Sequence, residues 1–244
     1  MMLSELWHRA AYYLTVPRCV CCGEPLSVDE RALCEECRLS YENMKDRTCS
    51  LCFSAIRECT CPCHFLDTHY VHKLIKVTRY VRGDADVPSN ALVYALKQDH
   101  RDDVFSFIAD DMATSIRASG IPTEDALFIG VPRRTRAIRH FGFDHAAILA
   151  SYLAKRLGGK SLRLLRSDSK RAQKEMHGIE RLENIRIRTR FRYRRTDLSG
   201  KRIFLIDDIV TTGASMGITA MHLRGMGAKR IVGVCFSIAY MDGR

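Results

Sequence analysis

Ten cysteines crowd residues 19–63 of this 244-residue chain, and their spacing is that of metal-binding knuckles. Cys19 and Cys22 form one C-x-x-C pair, and Cys34 and Cys37 form a second, eleven residues further on. A C-x-x-C turn aims two thiolates at one ion, and two such turns complete the closed tetrahedral shell of a structural zinc. Gly23, directly after the first pair, suits the tight turn. Cys49 and Cys52 form a third knuckle, whose partner is drawn from a crowded run, Cys59-Thr60-Cys61-Pro62-Cys63-His64. Cys59 with Cys61 is the first choice, and Cys63 or His64 are substitutes. Two further readings stay open: that some of these thiols are free, or that both clusters share one ion. One or two structural Zn²⁺ ions are therefore expected, with no open coordination position for catalysis. A disulfide framework fits less well, because the cysteine total of eleven is odd and the opening MMLSELWHRAAYYLTV does not look like an export signal. The remaining Cys235 sits in the apolar run IVGVCFSIAY and reads as a buried core thiol.

A second stretch carries different chemistry. Arg202-Ile203-Phe204-Leu205-Ile206 is apolar after its first residue and ends on Asp207-Asp208. Ile209, Val210, Thr211, Thr212, Gly213, Ala214 and Ser215 follow and open into a helical pattern. A buried strand thus delivers two acids at its carboxyl end, next to a small-residue turn at a helix N-terminus. Unpaired backbone N–H groups and the positive end of the helix dipole make such a turn an anion site. Thr211, Thr212 and Ser215 add hydroxyl donors, and Gly213 lets the backbone approach a phosphate. Carboxylates repel phosphate but accept hydrogen bonds from sugar hydroxyls, or hold Mg²⁺ through its waters. A diol and a phosphate on one small molecule describe a phosphorylated ribose. Receiver domains and phosphatases also end strands on acids, but they lack an immediate Thr-Thr-Gly turn.

A third feature is Arg186-Ile187-Arg188-Thr189-Arg190-Phe191-Arg192-Tyr193-Arg194-Arg195. Read as one strand, Arg186, Arg188, Arg190, Arg192 and Arg194 share a face. Such a face is either a solvated edge whose charges block unwanted pairing or a stripe that neutralises the backbone of single-stranded DNA. The ladder belongs to a wider asymmetry. The chain's net charge is +11, but residues 131–202 alone carry +15 and the rest −4. An anionic partner is therefore expected at one stretch, not over the whole surface.

The strand, acidic pair and Thr-Thr-Gly turn resemble the phosphoribosyl-pyrophosphate (PRPP) signature of type I phosphoribosyltransferases. Cysteine knuckles ahead of it, then Val131-Pro132-Arg133-Arg134-Thr135-Arg136, Gly142-Phe143-Asp144-His145, Gln173 and Arg181-x-x-Asn184, resemble the ComF family of competence-associated phosphoribosyltransferase-like proteins. Where that family has Asn-Gln, this chain has Asp144-His145, and His140-Phe141 intrude before Gly142. The resemblance implies a Mg²⁺-dependent site for PRPP. Arg133 and Arg134 would lie at the pyrophosphate loop, and Thr211, Thr212, Gly213, Ala214 and Ser215 at the phosphate turn. Asp207 and Asp208 are the candidate catalytic residues, as holders of ribose and magnesium. The polar loop 166–180 would be a mobile lid carrying Lys170, Arg171 and Lys174. The resemblance further implies phosphoribosyl transfer serving DNA uptake or the use of DNA-derived nucleotides. The alternative is a non-catalytic scaffold that binds single-stranded DNA and other uptake or recombination proteins.

These groups need elements to hold them. A helix is expected over residues 3–15, ended by Pro17. A cysteine-rich segment follows, too short to fold on hydrophobic burial alone. Strands near VTRYV, LFIGVP, RIFLIDD and KRIVGVCFSIAY then alternate with helices through NALVYALKQ, VFSFIADDMATSIRAS, HAAILASYLAKRLG and ASMGITAMHLRGMG. This alternation predicts an α/β fold: a type I phosphoribosyltransferase-like parallel sheet flanked by helices and preceded by a small zinc-binding module. The expected division is 1–68 for the helix and zinc module and 69–244 for the α/β domain. With no apolar run near the ~20 residues of a membrane span, a cytoplasmic location is expected.

Overall fold

The computed structural model describes residues 16–49, 51–81, 83–84, 87–98, 100–168 and 185–239. The expected helix over 3–15, the lid residues Lys170, Arg171 and Lys174, and Gln173, Arg181 and Asn184 lie outside them. In chain order the helices are α1 (Glu35–Lys45), α2 (His64–Thr68), α3 (Pro88–Gln98), α4 (Asp102–Ala118), α5 (Thr135–Phe141), α6 (His145–Leu157) and α7 (Ala214–Gly225). The strands are β1 (Leu74–Arg79), β2 (Leu127–Gly130), β3 (Lys160–Ser161), β4 (Leu165–Ser167), β5 (Ile187–Thr189), β6 (Arg202–Val210) and β7 (Arg230–Ile238).

Five strands form one parallel sheet in the order β1-β7-β6-β2-β3. Its central strands are apolar on both faces, as strands covered on both sides must be. Along β6 the alternation is strict: Phe204 and Ile206 enter one core cluster, Ile203 and Leu205 the other. The first cluster packs the sheet against α3, α4 and α6, and the second packs it against α7 and α2. β2 leads through α6 to β3 on one side, whereas β6 leads through α7 to β7 on the other. The boundary between β2 and β6 is therefore the topological switch point, where open α/β sheets bind ligands beyond their strand ends.

Two details of the sequence reading change. The loop expected from residue 166 begins as strand, because β4 pairs antiparallel with β5 in a small separate sheet. The arginine ladder is not one strand. β5 stops at Thr189, and Phe191–Tyr193 turn into a 3₁₀ helix. The cause is packing at Thr189, whose hydroxyl meets His222 Nε2 at 2.9 Å and Met226 on α7, while Arg190 Nε turns back to donate to the Leu165 carbonyl.

The cysteine-rich segment shares the first core cluster: Leu26, Leu33 and Tyr41 are buried in it alongside Phe236 of β7. Tyr41 stacks on Phe236 at 6.1 Å and donates to Asp111 of α4 at 2.6 Å. Lys45 adds a 3.3 Å ion pair to the same carboxylate.

Candidate functional site

The two knuckle pairs predicted from spacing close into two separate clusters. The sulfurs of Cys19, Cys22, Cys34 and Cys37 all lie within 4.8 Å of one another, and so do those of Cys49, Cys52, Cys59 and Cys61. Both knuckles are built alike: Gly23 N–H donates to the Cys19 carbonyl as Phe53 N–H does to that of Cys49, and Cys19 and Cys49 N–H reach the carbonyls of Glu24 and Ser54. Cys22 and Cys34 sulfurs are 3.6 Å apart, and Cys52 and Cys59 sulfurs 3.4 Å. Tetrahedral thiolates on zinc are about 3.8 Å apart, so each donor set fits that ion. Burial works against a charge on Cys19, but the backbone N–H groups of Cys22, Cys34 and Cys21 outweigh it and lower this thiol to about 7. Under the second cluster the fully buried Lys76 of β1 donates to the carbonyls of Cys59 and Cys61. A cation there offsets the charge that four thiolates gather around one divalent ion.

Cys63 stands outside both sets and does something else. Its thiol donates to the Thr212 carbonyl at 3.4 Å, in the turn after β6. Gly213 sits there at φ +80°, and a side chain on it would collide with Cys63 Sγ at 2.7 Å and with Leu66. The segment leaving the second cysteine cluster is thus wedged under the turn that opens α7. His64 begins α2 and is not in the ligand set either.

The acidic pair is split by the two-residue period of the strand. Asp208 points to the α3–α6 face, where Lys97 Nζ lies 2.9 Å from Oδ2 and His145 Nε2 lies 3.3 Å from Oδ1. Asp207 points to the α7 face, in register with Cys235 of β7. Two adjacent acids therefore meet opposite environments. Burial raises the carboxyl of Asp207 well above its usual range, and the neighbouring Asp208 charge adds to the effect. For Asp208 burial acts in the same upward direction, but His145, Lys97 and Arg133 outweigh it and hold the group well below that range. His145 reaches this position because Asp144 caps α6, accepting from Ala147 N–H, and because Gly130 at the end of β2 has no side chain. A Cβ on Gly130 would stand 2.6 Å from the backbone of Ala146 and Ala147.

A cavity of about 390 Å³ opens beside the ends of β2 and β6. Arg133 and Arg134 line it from the loop after β2, Asp207 and Asp208 from β6, Ser215 from the first turn of α7, and Lys97 from α3. Ser167 and Ile187 of the small sheet and Phe141 of α5 complete the wall. Several polar atoms near this cavity are buried without a hydrogen-bond partner among the described residues: Arg133 Nη1, Asp208 Oδ2 and both ring nitrogens of His145. Asp208 Oδ2 and His145 Nε2 thus make ion-pair contacts whose angles leave their hydrogen-bonding capacity open. Thr211, Thr212, Gly213 and Ala214 form the turn behind Ser215 without lining the cavity. The Thr212 hydroxyl accepts from Ala214 N–H at 3.4 Å. Lys97 and His145 were not singled out as site residues from sequence. The signal was there: a lysine ends the otherwise apolar run NALVYAL, and a histidine opens the apolar face of HAAILASYLA.

Of the five ladder arginines, Arg188 faces solvent opposite Arg166 of β4, and both pair with Asp168. Arg186 is exposed beside them. Arg192 and Arg194 lie over the rings of Tyr193 and Phe191. No helix among the described residues is long and apolar enough to cross a membrane.

No curated protein matches the chain. Among solved structures it is similar to a purine phosphoribosyltransferase from Pyrococcus horikoshii Ot3, at 18% identity and a TM-score of 0.35, over 56% of this chain and 81% of that one. The family described as the phosphoribosyl transferase domain matches residues 100–244, which hold β2, β6, the acidic pair, the turn and α7. With well over half its length matched, the chain belongs to the phosphoribosyl transferase domain family.

Proposed function

We propose that the cavity at the switch point binds Mg²⁺–PRPP and that the protein transfers the phosphoribosyl group to a nucleophilic acceptor, as a member of the ComF branch acting in the cytoplasm. The observation that carries this reading is the convergence on one cavity of Asp207, Asp208, Ser215, Arg133 and Arg134, where Arg133 Nη1 and Asp208 Oδ2 retain unused hydrogen-bonding capacity. The 5′-phosphate suits the turn Thr211–Ser215 at the N-terminus of α7. The ribose hydroxyls suit the Asp207 carboxylate, and the diphosphate suits Arg133 and Arg134.

In the transfer the bond from ribose C1 to the diphosphate oxygen breaks, the leaving diphosphate takes the electron pair, and the acceptor forms the new bond to C1. Charge accumulates on the leaving group, so stabilisation is mainly electrostatic, from fixed cations in a partly enclosed site. The hard carboxylate oxygens of Asp207 and Asp208 fit magnesium, which when bound would neutralise part of the diphosphate charge. Zinc in both cysteine clusters would be structural, since four thiolates close each shell. Calorimetry with PRPP and Mg²⁺ tests the reading. Wild type should bind, whereas Asp207→Asn with Asp208→Asn should abolish binding and leave zinc content unchanged. Normal binding by that double variant would place the site elsewhere.

A second reading, binding of single-stranded DNA, draws support from β4 and β5. These strands turn Ser167 and Ile187 to the cavity and Arg166 and Arg188 outward, in register, on a face where exposed Arg186 continues the charge. Neutralising Arg188, Arg190 and Arg192 should weaken binding of a short single strand and flatten its salt dependence. Equal binding by that variant would retire this reading.

A further inference from the structure

Lys97 comes from α3, outside the matched residues 100–244, yet its side chain forms part of the cavity wall. Leu92, Val93 and Leu96 fix this helix in the core, and Lys97, one position on, extends to the end of β6. Its side chain is 25% exposed, while that of Asp208 is 5% exposed and that of His145 is not exposed at all. The two cationic partners of Asp208 therefore differ in freedom. His145 is packed at the start of α6 and cannot leave without unpacking that helix. Lys97 carries its charge on a flexible four-carbon stem with the cavity beside it.

Geometry sets the two states this side chain can occupy. With its ammonium 2.9 Å from Asp208 Oδ2, any divalent cation approaching that oxygen meets a like charge. A diphosphate entering between Lys97 and Arg133 offers the ammonium a more highly charged partner than one carboxylate. We propose that Lys97 is a mobile counter-cation of the acidic pair, held on Asp208 until magnesium takes its place and then turning its ammonium to the diphosphate of PRPP. Magnesium and diphosphate would thus enter together, each weakening the contact that disfavours the other. The proposal rests on the PRPP reading of the cavity.

The test is calorimetric titration with Mg²⁺ alone, then with PRPP in excess Mg²⁺. It uses wild type, the neutral variants Lys97→Met and Lys97→Gln, and the charge-keeping Lys97→Arg, each checked for folding by circular dichroism. The neutral variants should bind Mg²⁺ alone more tightly than wild type and bind PRPP with Mg²⁺ roughly tenfold more weakly, the scale of one charge-assisted contact. Lys97→Arg should restore most of the PRPP affinity. A parallel loss of both affinities would make Lys97 a structural strut and overturn the proposal, as would unchanged Mg²⁺ binding. If wild type itself binds no PRPP, the functional reading falls and takes the proposal with it. If wild type binds and the neutral variants match it, the proposal alone falls.

Discussion

Asp207 and Asp208 are neighbours in sequence and opposites in environment, and their substitutions should separate accordingly. The pKa of Asp208 is lowered by folding, so it contributes stability that is present above the ordinary carboxylate value near 3.8 and lost as pH falls through its lower folded value. Melting temperatures measured across the acid range in Mg²⁺-free buffer should therefore drop less steeply for Asp208→Asn than for wild type, from a lower plateau at neutral pH. The pKa of Asp207 is raised, so the sign reverses. Its favourable contribution is complete below the ordinary value and is lost as pH rises through the raised folded value. At neutral pH the Asp207 charge is a cost, which makes it a site where function and stability conflict. Asp207→Asn should raise the melting temperature at pH 7 by about 2–4 °C, roughly 1 kcal/mol for a chain of this size, while PRPP binding is lost. A lower melting temperature for this variant would contradict the assignment of Asp207 as the exposed, ligand-directed carboxylate.

At the scale of elements, the turn between β6 and α7 is positioned from beneath by residues far away in sequence. Gly213 combines a left-handed φ with a contact that leaves no room for a side chain. Gly213→Ala should cost about 1–3 kcal/mol in denaturant unfolding and weaken PRPP binding as the turn shifts off Cys63 and Leu66. The same wedge ties the turn to the second cysteine cluster, because only Pro62 separates the ligand-set residue Cys61 from Cys63. Removing metal with a chelator should therefore speed amide hydrogen exchange over residues 211–215, as well as over the knuckles themselves. Protection at the turn that does not change on chelation would show that the wedge holds without the metal.

For the molecule as a whole, the cysteine-rich segment and the sheet share one apolar cluster, with Leu33 and Tyr41 packed among the residues that cover Phe236 and Phe204. Loss of metal should thus lower the thermal stability of the entire chain in one cooperative transition, with near-ultraviolet and far-ultraviolet signals melting together. Two separate transitions would mean that the segment unfolds on its own. Charge is distributed on the same scale: the +15 stretch of residues 131–202 supplies both Arg133 and Arg134 inside the cavity and Arg166 and Arg188 on the outer face. PRPP binding should accordingly weaken as salt rises, though less than any binding of a nucleic acid, since a partly enclosed site is screened less than an exposed face.

The sequence by itself determined what is encoded locally. Cysteine spacing selected both ligand sets, because a C-x-x-C turn is made within four residues. Apolar periodicity placed the strands and helices of the sheet, and the run from Ile203 to Ser215 contained a strand, an acidic pair and a phosphate turn in one continuous piece. Tertiary structure decided what depends on neighbours distant in the chain. The alternation of arginines gave no warning that Thr189 would pack on α7 and end its strand. The crowded run from Cys59 to His64 did not show that Cys63 would leave the metal for Thr212. Two adjacent aspartates look alike in sequence, and they differ only because a strand turns them to opposite faces of the sheet. There Lys97 from a helix 110 residues earlier, and His145 from another, meet one of them and leave the other to the cavity.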